Sequence, residues 1–295
     1  MHEVINLAAR ILEGKVFAAQ IKEEAKLGVE TLQKDFGITP SLAVVIVGEN
    51  PASKVYVRNK HKTCEELGIR SIVVEMAENA TKDELITKID ELNADKSING
   101  ILVQLPLPAD IKSHEEEILN RIDPLKDVDG FHPYNVGKLV TGSPTLVPCT
   151  PAGCLKMLDL AGIEIDGKRA VIIGRSNIVG KPMLHLLMSR HATVTVCHSH
   201  THNLSEVTRE ADILVAAMGK PKFVTADMIK PGAVIVDVGI NRIAPKKLVG
   251  DVDFEAAVEV ASAITPVPGG VGLLTVAMLM QNVIAATKLQ LEAKK

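Results

Sequence analysis

Tyr56 and Lys60 stand four residues apart in Ser53-Lys-Val-Tyr-Val-Arg-Asn-Lys60, a stretch with helical spacing, so both side chains share one helix face. A tyrosine ring beside a lysine amine can stack on a planar substrate and move a proton. An amphipathic helix with an ordinary surface lysine carries the same pattern, so the pair alone decides nothing. Gln104 follows the apolar run Gly100–Val103. That places it at a strand end, where open α/β sheets hold ligands. Asp129 lies in Asp127-Val-Asp-Gly130, and Gly269 and Gly270 lie in the stiff segment Thr265-Pro-Val-Pro-Gly-Gly-Val-Gly272. Each of these reads singly as loop chemistry, but together they exceed what plain connections need.

A second constellation follows the apolar run Ala170–Ile173. Gly174-Arg-Ser-Asn-Ile-Val-Gly180 opens a helical pattern, which puts a tight turn at a strand's end and a helix N-terminus where a diphosphate binds. The spacing is Gly-x-Ser-x-x-x-Gly rather than Gly-x-Gly-x-x-Gly, so by itself it also reads as a structural βα turn. Val236-Asp-Val-Gly-Ile-Asn241 adds a glycine turn suited to a nicotinamide edge, with Ile240 in it. NAD enzymes place a carboxylate after the second strand, about 20 residues on. Here Thr193–Cys197 runs into His198-Ser-His-Thr-His202 with no carboxylate. Arg175 in the first turn can clamp a 2′-phosphate and Ser199 can donate to it, which favours NADP. His198, His200 and His202 share a face if extended, so a metal reading stays open. A polar loop beside the adenosine phosphate explains them more simply, and no metal is expected. Short-chain dehydrogenases also carry Tyr-x-x-x-Lys, but with the glycine turn first, and here that order is inverted.

The elements that must position these residues alternate along the chain. Strand candidates are Ser41–Val47, Ile69–Glu75, Gly100–Val103, Arg169–Ile173, Thr193–Cys197, Ile213–Ala216 and Ala233–Val238. Helical patterns lie between them, and Thr81 with Glu84, and Ser113 with Glu116, read as capping boxes. Such alternation predicts an α/β protein with parallel sheets. Five prolines between Asp123 and Pro151 mark an interdomain crossing, so 144–273 is expected to be a Rossmann-type NADP-binding domain behind an N-terminal α/β catalytic domain. The net charge of −3 argues against a nucleic-acid partner. The start lacks a signal peptide's pattern, and no stretch reaches about 18 uninterrupted apolar residues, so no membrane span is expected. The four cysteines show no Cys-x-x-Cys spacing and read as thiols of a reduced cytoplasm.

These segments, in this order, resemble the bifunctional methylenetetrahydrofolate dehydrogenase/methenyltetrahydrofolate cyclohydrolase family. The match runs through Val47-Gly48 to Lys60, Val103-Gln-Leu-Pro-Leu-Pro108, Lys126-Asp-Val-Asp-Gly130, Pro148-Cys-Thr-Pro-x-Gly153, Gly174-Arg-Ser through Pro182, Asp237-Val-Gly-Ile-Asn241, Gly250-Asp-Val-Asp-Phe254 and Pro266–Gly272. The resemblance implies two reactions. NADP-dependent oxidation turns 5,10-methylenetetrahydrofolate into 5,10-methenyltetrahydrofolate, and water then opens that cation to 10-formyltetrahydrofolate. It implies Lys60 as the central catalytic group, Tyr56 stacking on the folate, Gln104 orienting Lys60 and Asp129 holding the pterin. Gly174, Arg175, Ser176, Ser199 and Ile240 would contact NADP, and Gly269 and Gly270 the substrate. The final helix would return to the first domain, giving 1–143 with 274–295 as the catalytic domain. A cytoplasmic homodimer joined through the dinucleotide domain is expected. Hydride loss leaves a cationic amidinium, so Lys60 is expected to assist water attack in its neutral form. Two positions depart from the family pattern: Leu273-Leu-Thr275 replaces Pro-Met-Thr, and His200 replaces a Lys or Arg. The competing readings are a monofunctional NADP dehydrogenase and a non-catalytic NADP sensor. The intact set of Tyr56, Lys60, Gln104 and Asp129 argues against both.

Overall fold

The computed structural model describes residues 9–245 and 247–293. Its strands, numbered along the chain, are β1 (Arg10–Ile11), β2 (Ser41–Val47), β3 (Arg70–Met76), β4 (Gly100–Val103), β5 (Arg169–Ile173), β6 (Thr193–Cys197), β7 (Ile213–Ala216), β8 (Val234–Asp237), β9 (Asn241–Ala244), β10 (Lys247–Val249) and β11 (Ala263–Ile264). The chain divides into two compact units.

One unit is Ala19–Cys149 with the chain from Val276 on. Its sheet is parallel with order β3-β2-β4. Every residue of β2 is buried. Leu42, Val44 and Ile46 enter one core, and Ala43, Val45 and Val47 another, because successive side chains leave a strand on opposite faces. Burial on both faces is why this strand reads as an unbroken apolar run. The helix Val271–Glu292 has the length and apolarity of a membrane span. Its Leu279, Met280, Val283 and Ile284 nevertheless lie in the first of these cores, so it packs as a core helix of this unit.

The other unit is Thr150–Thr275 with the described residues up to Ala18. Its sheet is parallel throughout, with order β1-β11-β8-β7-β5-β6. From β5 the chain moves outward to β6, then crosses back to the other side of β5 to form β7. That reversal is a topological switch point, and crevices for ligands open there at the strands' C-terminal ends. β9 and β10 form a separate antiparallel hairpin.

The α/β architecture matches the sequence-based expectation, and several local details differ. Thr81 caps the helix Lys82–Ala94 with a full capping box to Glu84. Ser113 does not cap: the next helix is Glu115–Leu119, with His114 at its N-cap and no side-chain bond there. The proline-rich crossing holds the helix Pro133–Val140 and the start of the helix Cys149–Leu160. Prolines at a helix's first turn cost no hydrogen bond, so they do not preclude helices there. The described residues up to Ala18 cluster with the dinucleotide-type unit rather than with 19–143, because β1 pairs in parallel with β11.

Candidate active site

In the unit built on β2–β4, Tyr56 and Lys60 sit on the helix Pro51–Leu67. Asn50 starts that helix: its side chain accepts from the backbone N–H groups of Ala52 and Ser53, and Pro51 occupies the first turn. Gly68 ends it in the left-handed conformation at φ 74°. The Tyr56 ring is 47% exposed, open to a planar partner. Lys60 Nζ donates to Gln104 Oε1 at 2.9 Å. Gln104 is itself fixed, with Nε2 donating to Leu105 O at 2.7 Å and its backbone N–H to Val45 O at 2.8 Å. The residue after β4 thus aims its amide oxygen at the amine.

Asp129 joins this pair electrostatically. Burial pushes its carboxyl up to about 6; the charge of Lys60 opposes that shift and Asp127 adds to it. The loop presenting Asp129 is held from several sides. Lys126, a buried ammonium, donates to the carbonyls of Leu92, Asn93 and Asp95 at 3.0, 2.7 and 2.8 Å. Asp127 is buried and accepts from the N–H groups of Gly130 and His132 and from Asn135 Nδ2. Gly130 takes φ 70°, and a Cβ there would press on the Val147–Pro148 backbone, so this turn requires glycine. Asn282 on the last helix donates to the carbonyls of Val128 and Val147 at 2.8 Å each. Sequence reasoning singled out Asp129 but missed the supports Lys126, Asp127, Asn135 and Asn282. The first two stood inside the quoted motif; Asn282 had no signal beyond a polar residue in an apolar helix. Cys149 is buried beside this loop, and burial, with Asp129 adding to it, raises its thiol well above the usual range. A thiol so held is not a nucleophile.

In the other unit, the turn after β5 is tight for a visible reason. Gly174 has φ 128°, and a Cβ on it would collide with the Ala217 carbonyl. A Cβ on Gly180 would collide with the Gly174 carbonyl. Ser176 Oγ accepts from the N–H groups of Val179 (3.1 Å) and Gly180 (3.3 Å), capping the entry to the helix Gly180–Met188. Arg175 is exposed. Burial, followed by the charges of Arg175 and His200, lowers the pKa of His198. His198 Nδ1 accepts from the His200 N–H at 3.2 Å, and the two rings lie 5.9 Å apart, edge to face. Among the described residues no three His, Cys, Asp or Glu side chains group as metal ligands. Ser199 is exposed beside these rings, and Ile240, after β8, is 50% exposed. Gly269, at φ 104°, accepts from the Gly14 N–H at 2.8 Å, and a Cβ on Gly270 would meet the Pro266 carbonyl. The features fit a dinucleotide with a 2′-phosphate: a tight glycine turn at a helix N-terminus, an exposed guanidinium and no acid directly after β6.

Comparison with known proteins agrees across both units. Residues 148–291 match the family model described as tetrahydrofolate dehydrogenase/cyclohydrolase, NAD(P)-binding domain. Residues 12–129 match that of the tetrahydrofolate dehydrogenase/cyclohydrolase catalytic domain. The chain is 57% identical over 288 residues to the bifunctional protein FolD of Acetivibrio thermocellus, covering 98% of this chain and 100% of that protein. The crystal structure of the bifunctional enzyme FolD-methylenetetrahydrofolate dehydrogenase/cyclohydrolase from Campylobacter jejuni superposes with a TM-score of 0.91 at 50% identity, over 96% of this chain and 100% of that one. The Trypanosoma brucei N5,N10-methylenetetrahydrofolate dehydrogenase-cyclohydrolase, solved with NADP cofactor and inhibitor, gives 0.91 at 39% identity, over 97% and 99%.

Proposed function

The chain belongs to the tetrahydrofolate dehydrogenase/cyclohydrolase family, and from that premise we propose how its own residues perform the two reactions. It is a bifunctional enzyme that oxidises 5,10-methylenetetrahydrofolate with NADP and hydrolyses the resulting 5,10-methenyltetrahydrofolate to 10-formyltetrahydrofolate. The observation that carries the assignment is the bond from Lys60 to Gln104 with Asp129 alongside.

Asp129 accepts from the pterin's adjacent N–H donors, and Tyr56 stacks on the folate ring. Together with Gln104 they form the proposed substrate-binding set, to which Gly269 and Gly270 are carried from the family resemblance. When bound, NADP supplies the hydride acceptor. Gly174, Arg175, Ser176, Ser199 and Ile240 would hold it, the arginine at the 2′-phosphate. Loss of hydride leaves a cationic amidinium carbon. The amine of Lys60 takes a proton from the water that attacks this carbon, and Gln104 Oε1, accepting from Nζ, directs it. The proposed catalytic domain is built on the unit Ala19–Cys149 with the described residues from Val276, and the proposed NADP domain on Thr150–Thr275 with the described residues up to Ala18. A cytoplasmic setting is supported by four free, buried thiols.

Lys60→Met removes the proton acceptor and keeps the bulk of the stem. Hydrolysis of methenyltetrahydrofolate, followed by loss of its absorbance, should fall about 10²–10⁴-fold. Wild-type hydrolysis in this variant would overturn the assignment.

A further inference from the structure

Three loops leave the C-terminal edge of the six-stranded sheet beside the switch point: the turn at Gly174 after β5, Ala217–Gly219 after β7, and Gly239–Asn241 after β8. One buried side chain joins the last two of them. Asp251 has no exposed surface. Its Oδ2 accepts from the N–H groups of Met218 and Gly219 at 2.7 and 2.9 Å. Its Oδ1 accepts from Asn241 Nδ2 at 2.8 Å. Met218 follows directly on Ala217, whose carbonyl lies where a Cβ on Gly174 would go. Position 239 must be glycine because a Cβ there would run into the Asp251 carboxylate. Asp251 is held in turn: its own N–H donates to Asp237 Oδ1 at 3.0 Å, and the same oxygen accepts from Gly239 at 2.9 Å. Asp237 Oδ2 accepts from Val252 at 2.9 Å.

We propose that Asp251 is a positioning residue for the dinucleotide, setting the spacing of the Ala217–Gly219 and Gly239–Asn241 loops against the Gly174 turn so that the nicotinamide end is held in register. The inference rests on the reading of this unit as the NADP domain. A carboxylate suits the task because one rigid plane accepts from two loops at once, and bonds to a charged acceptor are the stronger kind. The hydrolytic step needs no nicotinamide, so Asp251 should matter to one activity and not to the other.

The test uses the full chain as Asp251→Ala, Asp251→Asn and Asn241→Ala, with NADPH affinity read from the cofactor's own fluorescence and both activities assayed. In Asp251→Ala and Asn241→Ala, kcat/KM for NADP should fall about ten- to a hundredfold, as expected for misplacement on the ångström scale, and NADPH affinity should fall with it. Cyclohydrolase activity should stay within about twofold, which also shows that the variant is folded. Asp251→Asn should recover most of the loss, because its amide oxygen can still accept from Met218 and Gly219 while Asn241 turns its amide to accept from the new NH2 group. Unchanged NADP kinetics in Asp251→Ala would overturn the proposal. So would equal loss of both activities in all three variants, since that marks a purely structural role. A wild-type chain that binds no NADPH would instead remove the cofactor reading itself.

Discussion

A carboxylate can accept both pterin N–H bonds only while it is ionised. Asp129, pushed up to about 6 mainly by burial, is charged above that pH and protonated below it. The KM for the folate substrate should therefore be level near neutrality and rise about tenfold per unit below about pH 6. A profile of initial rates from about pH 5 to about pH 8 checks this, and an unchanging KM would remove Asp129 from pterin binding. Arg175 offers the matching test at the cofactor. His198 beside it is shifted towards its neutral form, so the lasting positive charge there is the guanidinium. Arg175→Gln should weaken NADP binding about 10- to 100-fold, the worth of a charged hydrogen bond, and leave NAD binding unaltered. Equal losses for both dinucleotides would show that the arginine holds something other than the 2′-phosphate. Tyr56, Lys60, Gln104 and Gly174 were legible in the sequence because each sits at a spacing or strand end with a specific physical meaning. Lys126 and Asp127 were not, because their partners are backbone groups about 30 residues away or on the next turn, and no periodicity records that.

At the scale of elements, the buried ammonium of Lys126 closes the C-terminal turn of the helix Lys82–Ala94, where helix carbonyls lack partners. It does so from the loop that carries Asp129, so helix and site loop share one fastening. Lys126→Met should cost on the order of 3 kcal/mol by leaving buried carbonyls unsatisfied, and should raise the folate KM as the loop relaxes. Urea unfolding with parallel kinetics measures both, and a cost under about 0.5 kcal/mol would show that water replaces the amine freely. The strands were read well because a parallel strand buried on both faces is an apolar run, as β2 and β5 are. The Ser113 box failed because the hydroxyl lies one residue too early for the helix that forms. β1 and β11 escaped notice because two residues cannot display alternation.

For the whole molecule, the expected homodimer has a physical basis in β6, which ends the six-stranded sheet with one side unpaired within the chain. An open edge invites a second strand, and symmetric pairing of two such edges is a common solution. Light scattering should give about twice the mass of the 31.6 kDa chain, and a proline at Val194, whose N–H faces the open side because the Thr193 N–H and the Cys197 carbonyl face β5, should halve it while sparing the sheet's interior. A monomeric wild type would end that reading. The two-unit division was legible from the proline-rich crossing, but the allegiance of the first residues was not. It depends on a pairing between β1 and a segment some 250 residues later in the chain.

The interleaved path of the chain, with Ala19–Cys149 and the segment from Val276 on in one unit and the intervening stretch in the other, bears on how the protein is made. A ribosome releases residues in order, at about 5–20 per second. The catalytic unit's first strands emerge early but must wait on the order of ten seconds for the helix whose Leu279, Met280, Val283 and Ile284 fill their core. The NADP unit, most of which follows Cys149, has its described strands out of the ribosome before that helix is made. Until the last helix arrives, the face of β2 bearing Leu42, Val44 and Ile46 lacks part of its cover. Protection of that face during synthesis therefore falls to whatever binds nascent apolar surface in the cell.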